Sequence, residues 1–214
     1  MMKLTDYDFQ LPEELIAQYP REKRDESRLL VVNRQRQDFT ETRFKNIGDY
    51  LEEGDCLILN NTRVFPARLY GDSLSTGKKH EIVLVNYEGS KEWKVMIRGS
   101  KRCKVNDRFQ FLGGIEGELI KKLPEGLNIV AFNEELSYQK LMEIGEMALP
   151  PYIIKLREPI PKDKETYQTV YSKDIKVDSV PYEGSIAAPT AGLHFTQSLL
   201  DSLKKKELFS HSSL

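Results

Sequence analysis

Histidine is the side chain whose ordinary pKa lies closest to neutrality, so one set in an irregular backbone is a first candidate for proton transfer. His194 has that setting, within AAPTAGLHFT (Ala187–Thr196). Pro189 and Gly192 impose a non-regular backbone, and Ala188, Ala191 and Gly192 leave room for a ligand or a second chain segment to approach. Thr196 suits the cap of a following helix, in which Leu199, Leu200 and Leu203 form one apolar face and Lys204 to Lys206 the cationic end. A loop leading into a helix N-terminus suits an anion or polar substrate. The same residues also suit a tight turn whose histidine is satisfied by backbone, and residue types alone leave both readings open.

A second polar concentration, LNNTRVFPARL (Leu59–Leu69), follows an apolar run, where strand ends in α/β sheets meet ligands. Asn61, Arg63 and Arg68 stand there, and the two arginines can hold a carboxylate or phosphate with two parallel hydrogen bonds. An Asn-rich turn with solvated arginines is the plainer alternative. Tyr167 and Tyr171 are four apart, hence on one face if helical, where they could stack on a base or simply pack. Arginines and lysines cluster at Arg21–Arg36 and again at Arg98–Arg108, with Lys121 and Lys122 nearby. Either cluster could meet a phosphate backbone or be only a solvated face. No glycine-rich nucleotide loop and no zinc spacing is present, so neither a dinucleotide site nor a metal site is expected.

The elements that must position these groups read as follows. LPEELIAQYP is a short helix closed by Pro20, RLLVVNR and FTETRF are a hairpin, NIGDYLEEG is a helix ending at Gly54, and DCLILN is a buried strand. From about Pro66 to Phe132, short apolar runs alternate with Gly, Asn, Ser and Lys clusters at the spacing of a small sandwich or barrel. ELSYQKLMEIG is a helix closed by Gly145, LPPYI is extended, and DKETYQTVY is a helical turn capped by Asp163. The expectation is an α/β domain (1–65 and 133–214) with an inserted all-β, barrel-like domain (66–132).

Bulk properties set the frame. The 214 residues carry a net charge of −1, so any polyanion must be met by a local patch. No apolar run approaches the length of a bilayer span, and MMKLTDYDFQ lacks the apolar core of a signal peptide, so a cytoplasmic protein is expected. Two isolated cysteines, Cys56 and Cys103, fit a reducing compartment.

Taken in order, DYDFQLPEELIAQYP, RDESRLLVV, LNNTRVFPARLYG, ALPPYI, YQTVY and SIAAPTAGLHFT resemble the S-adenosylmethionine:tRNA ribosyltransferase-isomerase family of queuosine biosynthesis. The resemblance spans nearly the whole chain. It implies an enzyme that moves the ribosyl part of S-adenosylmethionine onto 7-aminomethyl-7-deazaguanine in tRNA and isomerises it. The product is epoxyqueuosine-tRNA, with adenine and methionine released. It implies no metal and no cofactor, S-adenosylmethionine being a consumed substrate. It further implies a monomer acting on tRNAs with a GUN anticodon. Carried onto this sequence, His194 becomes the candidate C5′ base or proton relay, and Thr190 and Thr196 candidate partners of ribose hydroxyls. Gly192 becomes the point of close substrate approach, and Asn61 and Arg63 orient the methionine carboxylate or ribose.

Two departures from the family pattern stand out. The connection SKDIKVDSVPYEG is longer than expected, which a surface loop tolerates. The family pattern also continues past the point where this chain ends in KKKELFSHSSL. The expectation is an α/β domain lacking its C-terminal part, with apolar surface and a strand edge left open. The alternative function that follows is an inactive fragment that retains tRNA or S-adenosylmethionine binding.

Overall fold

A computed structural model describes residues 3–176, 178–181, 184–205 and 209–213, the last five by their backbone. Met1, Met2, Lys206–Leu208 and Leu214, and Val177, Tyr182 and Glu183 of the long connection, lie outside the described residues. Its centre is a closed barrel of six strands: β4 (Arg68–Ser73), β5 (Lys79–Gly89), β6 (Glu92–Ile97), β7 (Arg108–Gln110), β8 (Glu116–Lys122) and β9 (Leu127–Phe132). Around the barrel the order is β4-β5-β6-β9-β8-β7, and every neighbouring pair is antiparallel, β7 closing back onto β4. Alternation drives the closure. In β4 and β6, Leu69, Trp93, Val95 and Ile97 point inward and are buried, while Tyr70 and Met96 face out. A closed barrel leaves no unpaired edge, so this part of the chain satisfies its own backbone. The barrel expected over 66–132 is therefore present, over strands Arg68 to Phe132.

Before the barrel lie β1 (Arg28–Asn33) and β2 (Asp38–Arg43), an antiparallel hairpin, then β3 (Cys56–Asn60). After it come α1 (Tyr138–Ile144), α2 (Pro151–Ile154), α3 (Asp163–Thr166), α4 (Gln197–Lys204) and β10 (Phe209–Ser213), which pairs parallel with β3. α4 buries Leu199, Leu200 and Leu203 against Phe44, Phe195, Leu57 and Leu59. The helix thus packs against the inner face of β3.

Several local expectations change. LPEELIAQYP holds only a 3₁₀ turn at Glu13–Leu15, and Phe44–Tyr50 is also 3₁₀, with Leu51 already extended. Short segments with few buried side chains lack the packing that sustains longer helices. β3 is half-exposed rather than buried, because Ile58 is 68% exposed while Leu57 and Leu59 turn inward. LPPYI is extended only up to Pro150; Pro151 opens α2, where its missing N–H costs nothing. Asp163 is the first residue of α3 rather than its cap. Leu30, Val32 and Phe39 leave the outer face of the hairpin apolar and exposed.

Gly145 ends α1, as its sequence position suggests, but at φ −100 it is not left-handed. Its need is steric: a Cβ there would lie 2.4 Å from the Pro66 carbonyl oxygen and 2.8 Å from that of Leu141. Both are backbone atoms and cannot swing aside. Gly145→Ala is expected to cost about 1–3 kcal/mol, read as a lower urea midpoint at unchanged slope.

Candidate functional site

His194 ends a 3₁₀ turn (Thr190–His194). Pro189 starts that turn by accepting the Gly192 N–H at 2.8 Å, and Phe195 leaves it buried, edge-on to Phe44 with ring centroids 4.9 Å apart. The half-buried His194 ring tilts over Phe44 at 5.2 Å, and no other described residue hydrogen-bonds its nitrogens. Thr196 caps α4: its Oγ1 accepts the Leu199 N–H at 3.2 Å and donates to Asp25 at 3.3 Å. The cap thus ties the Arg24–Glu26 turn to the histidine turn.

Three separated segments meet around this ring. Two contiguous cavities, about 360 Å³ and 200 Å³, share Ala17, Tyr19, Pro20, Thr166 and Leu193. The larger adds His194, Arg21, Arg24, Arg28 and Lys162, with Glu22 the only carboxylate on its wall among the described residues. The smaller adds Thr190, Tyr167 and Tyr152. The cleft is therefore cationic and aromatic. Burial lowers the Arg24 pKa from its ordinary value, yet a guanidinium stays charged in proteins. Arg24 also donates to the carbonyls of Gln168 and, at 3.2 Å, Glu165, which fixes the cleft floor. Burial raises the Tyr167 and Tyr171 phenols, so both act as neutral hydroxyls. Such a site can bind an anionic group, stack a ring and offer an imidazole for proton transfer.

A buried ion pair sets the wall opposite. Arg157 holds Asp163 through two hydrogen bonds at 2.7 and 2.8 Å, and Asp163 also accepts the Ile160 N–H. The Arg157 Nε donates to the Gln18 carbonyl at 2.6 Å, and its guanidinium lies 4.8 Å from the Tyr19 ring centre. One side chain therefore fastens the N-terminal segment to α3.

Of the residues expected from sequence, His194, Thr190 and Tyr167 come together here. Asn61, Arg63 and Arg68 line neither cavity. Arg63 is spent on the Lys173 carbonyl (2.7 Å) and Asp174 (2.9 Å), and Asn61 is buried with its Oδ1 unpaired among the described residues. Arg68 lies 3.0 Å from Glu81 beside a different cavity of about 640 Å³, against α2. Tyr167 and Tyr171 do not share a helical face, since α3 stops at Thr166. Gly192 does not leave its space to a ligand: a Cβ there would lie 2.0 Å from the Tyr171 hydroxyl. Thr196 is committed to its cap.

From sequence, Arg24 and Arg28 stand only in a basic cluster, Asp163 only as a helix cap, and Tyr19 and Arg157 carry no functional signal. The RDESRLLVV segment was the available signal for the first two. Among the described residues, no group of three or more His, Cys, Asp or Glu side chains could share a metal ion. No helix of the described residues is long and apolar enough to cross a membrane.

Residues 4–212 match the family model described as queuosine biosynthesis protein. A relative from Clostridioides difficile (strain 630), named S-adenosylmethionine:tRNA ribosyltransferase-isomerase, is 44% identical over 207 residues, covering 96% of this chain and 57% of the relative. The chain thus spans somewhat over half the length of that relative. The crystal structure of S-adenosylmethionine tRNA ribosyltransferase from Thermotoga maritima aligns with 28% identity and a TM-score of 0.37, over 97% of this chain and 56% of that one.

Proposed function

The chain belongs to the queuosine biosynthesis protein family, and from that premise we propose that it works in ribosyl transfer and isomerisation from S-adenosylmethionine to tRNA, with the His194 cleft holding the sulfonium substrate. The acceptor is 7-aminomethyl-7-deazaguanine in tRNAs with a GUN anticodon, and adenine and methionine leave. S-adenosylmethionine is consumed as a substrate, and the protein acts as a monomer. The α/β reading of residues 1–65 and 133–214 around the barrel belongs to the same proposal, supported by the parallel β3–β10 pair under α4.

One observation carries the placement: segments 17–28, 162–167 and 190–194, remote in sequence, converge on a cationic, aromatic cleft around an imidazole. The positive sulfur acidifies the adjacent C5′ proton, and the His194 imidazole accepts it. Arg24 and Arg28 supply charge for the methionine carboxylate, and Thr190 and Tyr167 supply neutral hydroxyls for the ribose. The test is incubation of the chain with S-adenosylmethionine and tRNA carrying the aminomethyl base. Equimolar adenine and methionine release, with the matching mass gain on tRNA, is expected. S-adenosylmethionine left intact in the presence of bound tRNA would overturn the reading.

A further inference from the structure

The barrel has two unlike ends. Its first strand enters and its last strand leaves at the end joined to the rest of the chain, where Arg68 bridges Glu146. The connections 74–78, 98–107 and 123–126 all lie at the opposite end. Residues 98–108 (RGSKRCKVNDR) bring Arg98, Lys101, Arg102, Lys104 and Arg108 there, in a chain of net charge −1; Arg98 pairs with Glu81 and Arg108 with Glu116, while Asp107 and Glu125 are the acidic residues of the connections at this end. The charge of the molecule is thus strongly uneven.

Two of these cations, Arg98 and Arg102, line a formed cavity of about 420 Å³ between the β4–β5 turn and the loop from Gly99 to Asp107, with Glu81 and Asp107 also on its wall. Lys78, Lys79, Arg98 and Arg102 line it, with the Ser73 and Thr76 hydroxyls at its wall. Its frame is fixed. Lys122 donates to the Ser100 and Cys103 carbonyls at 2.9 and 2.6 Å, and Asp107 accepts the Lys104 N–H at 2.8 Å. Glu81 is taken by Arg68 and Arg98. Among the described residues Lys78, Lys79 and Arg102 have no carboxylate at ion-pair distance, so their charge is available to a ligand.

We propose that this far end of the barrel is a nucleic-acid backbone site, the cavity seating one phosphodiester and the rim lysines Lys101 and Lys104 its neighbours along the strand. The inference rests on the reading of tRNA as substrate and adds where the RNA is gripped. A free anion would use two or three of these cations; a row that continues out of the cavity suits a chain of phosphates. A six-residue strand rises about 20 Å, and this cavity and the His194 cleft have no lining residue in common. A partner touching both must be long, which an RNA is and a small substrate is not.

The test uses the full chain and an unmodified tRNA transcript, titrated by fluorescence anisotropy over a series of salt concentrations. In the double variant Lys78→Ala/Arg102→Ala both side chains are exposed and hydrogen-bond no other described residue, so the fold should survive, as thermal melting would verify. Affinity is expected to fall on the order of ten-fold, and the slope of log K against log salt to become shallower by about 2. Acetylation footprinting should also show Lys101 and Lys104 protected by tRNA. Wild-type affinity and slope in the double variant would overturn the proposal, as would a wild-type chain that binds no tRNA. Calorimetric binding of inorganic phosphate alone, with tRNA affinity untouched by the substitutions, would assign the cavity to a free anion and overturn it equally. The two readings separate cleanly. A chain that grips tRNA through Lys78 and Arg102 but leaves S-adenosylmethionine intact supports this site and removes ribosyl transfer. Turnover that is indifferent to both residues does the reverse.

Discussion

Arg157→Ala is expected to destabilise the protein by about 3–5 kcal/mol, because it strands the Asp163 carboxylate in the interior. The side chains of the pair are 7% and 4% exposed, so water cannot replace the lost partner. For a chain of this size that corresponds to a melting temperature lower by roughly 10 °C. Adding Asp163→Asn to Arg157→Ala should recover part of the loss, since the stranded charge is then gone; no recovery would mean that the packing of Arg157 on Tyr19, rather than charge, carries the effect. The pair also predicts an acid limb. Burial alone would raise the Asp163 carboxyl, but the hydrogen bonds from Arg157 and the Ile160 N–H outweigh it and hold the pKa below the ordinary value. A depressed folded pKa gives stability that is present above the unfolded value, about 3.9, and is lost as pH falls through the folded one. Urea unfolding at stepped pH should therefore show a decline below about pH 4 that Asp163→Asn flattens.

His194→Ala is expected to slow adenine release by about 10²- to 10⁴-fold, the usual contribution of a positioned acid or base. S-adenosylmethionine affinity, read by calorimetry, should change little, because the proposed reading assigns the substrate carboxylate to Arg24 and Arg28. The fold should persist: the ring is half-buried and packs on Phe44, while Phe195 and Thr196 keep the turn and the α4 cap. Unchanged turnover in a folded variant would remove the imidazole from the chemistry. A loss of affinity equal to the loss of rate would make it a binding group instead.

The cleft has a consequence for stability and function together. Arg157 fastens Gln18 and Tyr19 while Arg24 fastens the chain to Gln168 and Glu165, so the N-terminal wall depends on two guanidiniums donating to backbone carbonyls. Substituting either with lysine removes the planar fork that reaches two acceptors at once. The wall would loosen although the charge remained.

What could be read from sequence alone was local or periodic. Alternating apolar residues with turn residues at short intervals fixed the barrel over 66–132, since a period of two specifies which face is buried. Leu199, Leu200 and Leu203 after a threonine fixed α4 and its cap, and the proline, glycine and histidine of residues 189–194 marked the cleft turn. What only the tertiary structure decided was which polar groups are still available. Asn61, Arg63 and Arg68 look like ligand donors because their types are right, but Arg63 is engaged by Asp174 and the Lys173 carbonyl, far away in sequence, and Arg68 by Glu81 on the neighbouring strand. Gly192 looked open until the Tyr171 hydroxyl occupied its space. Arg157 and Asp163, six residues apart in a proline-rich stretch, carry no periodic signal, and their pairing exists only because burial makes an unpaired charge too costly. Sequence records what a side chain can bind; long-range packing determines what it has left to bind with.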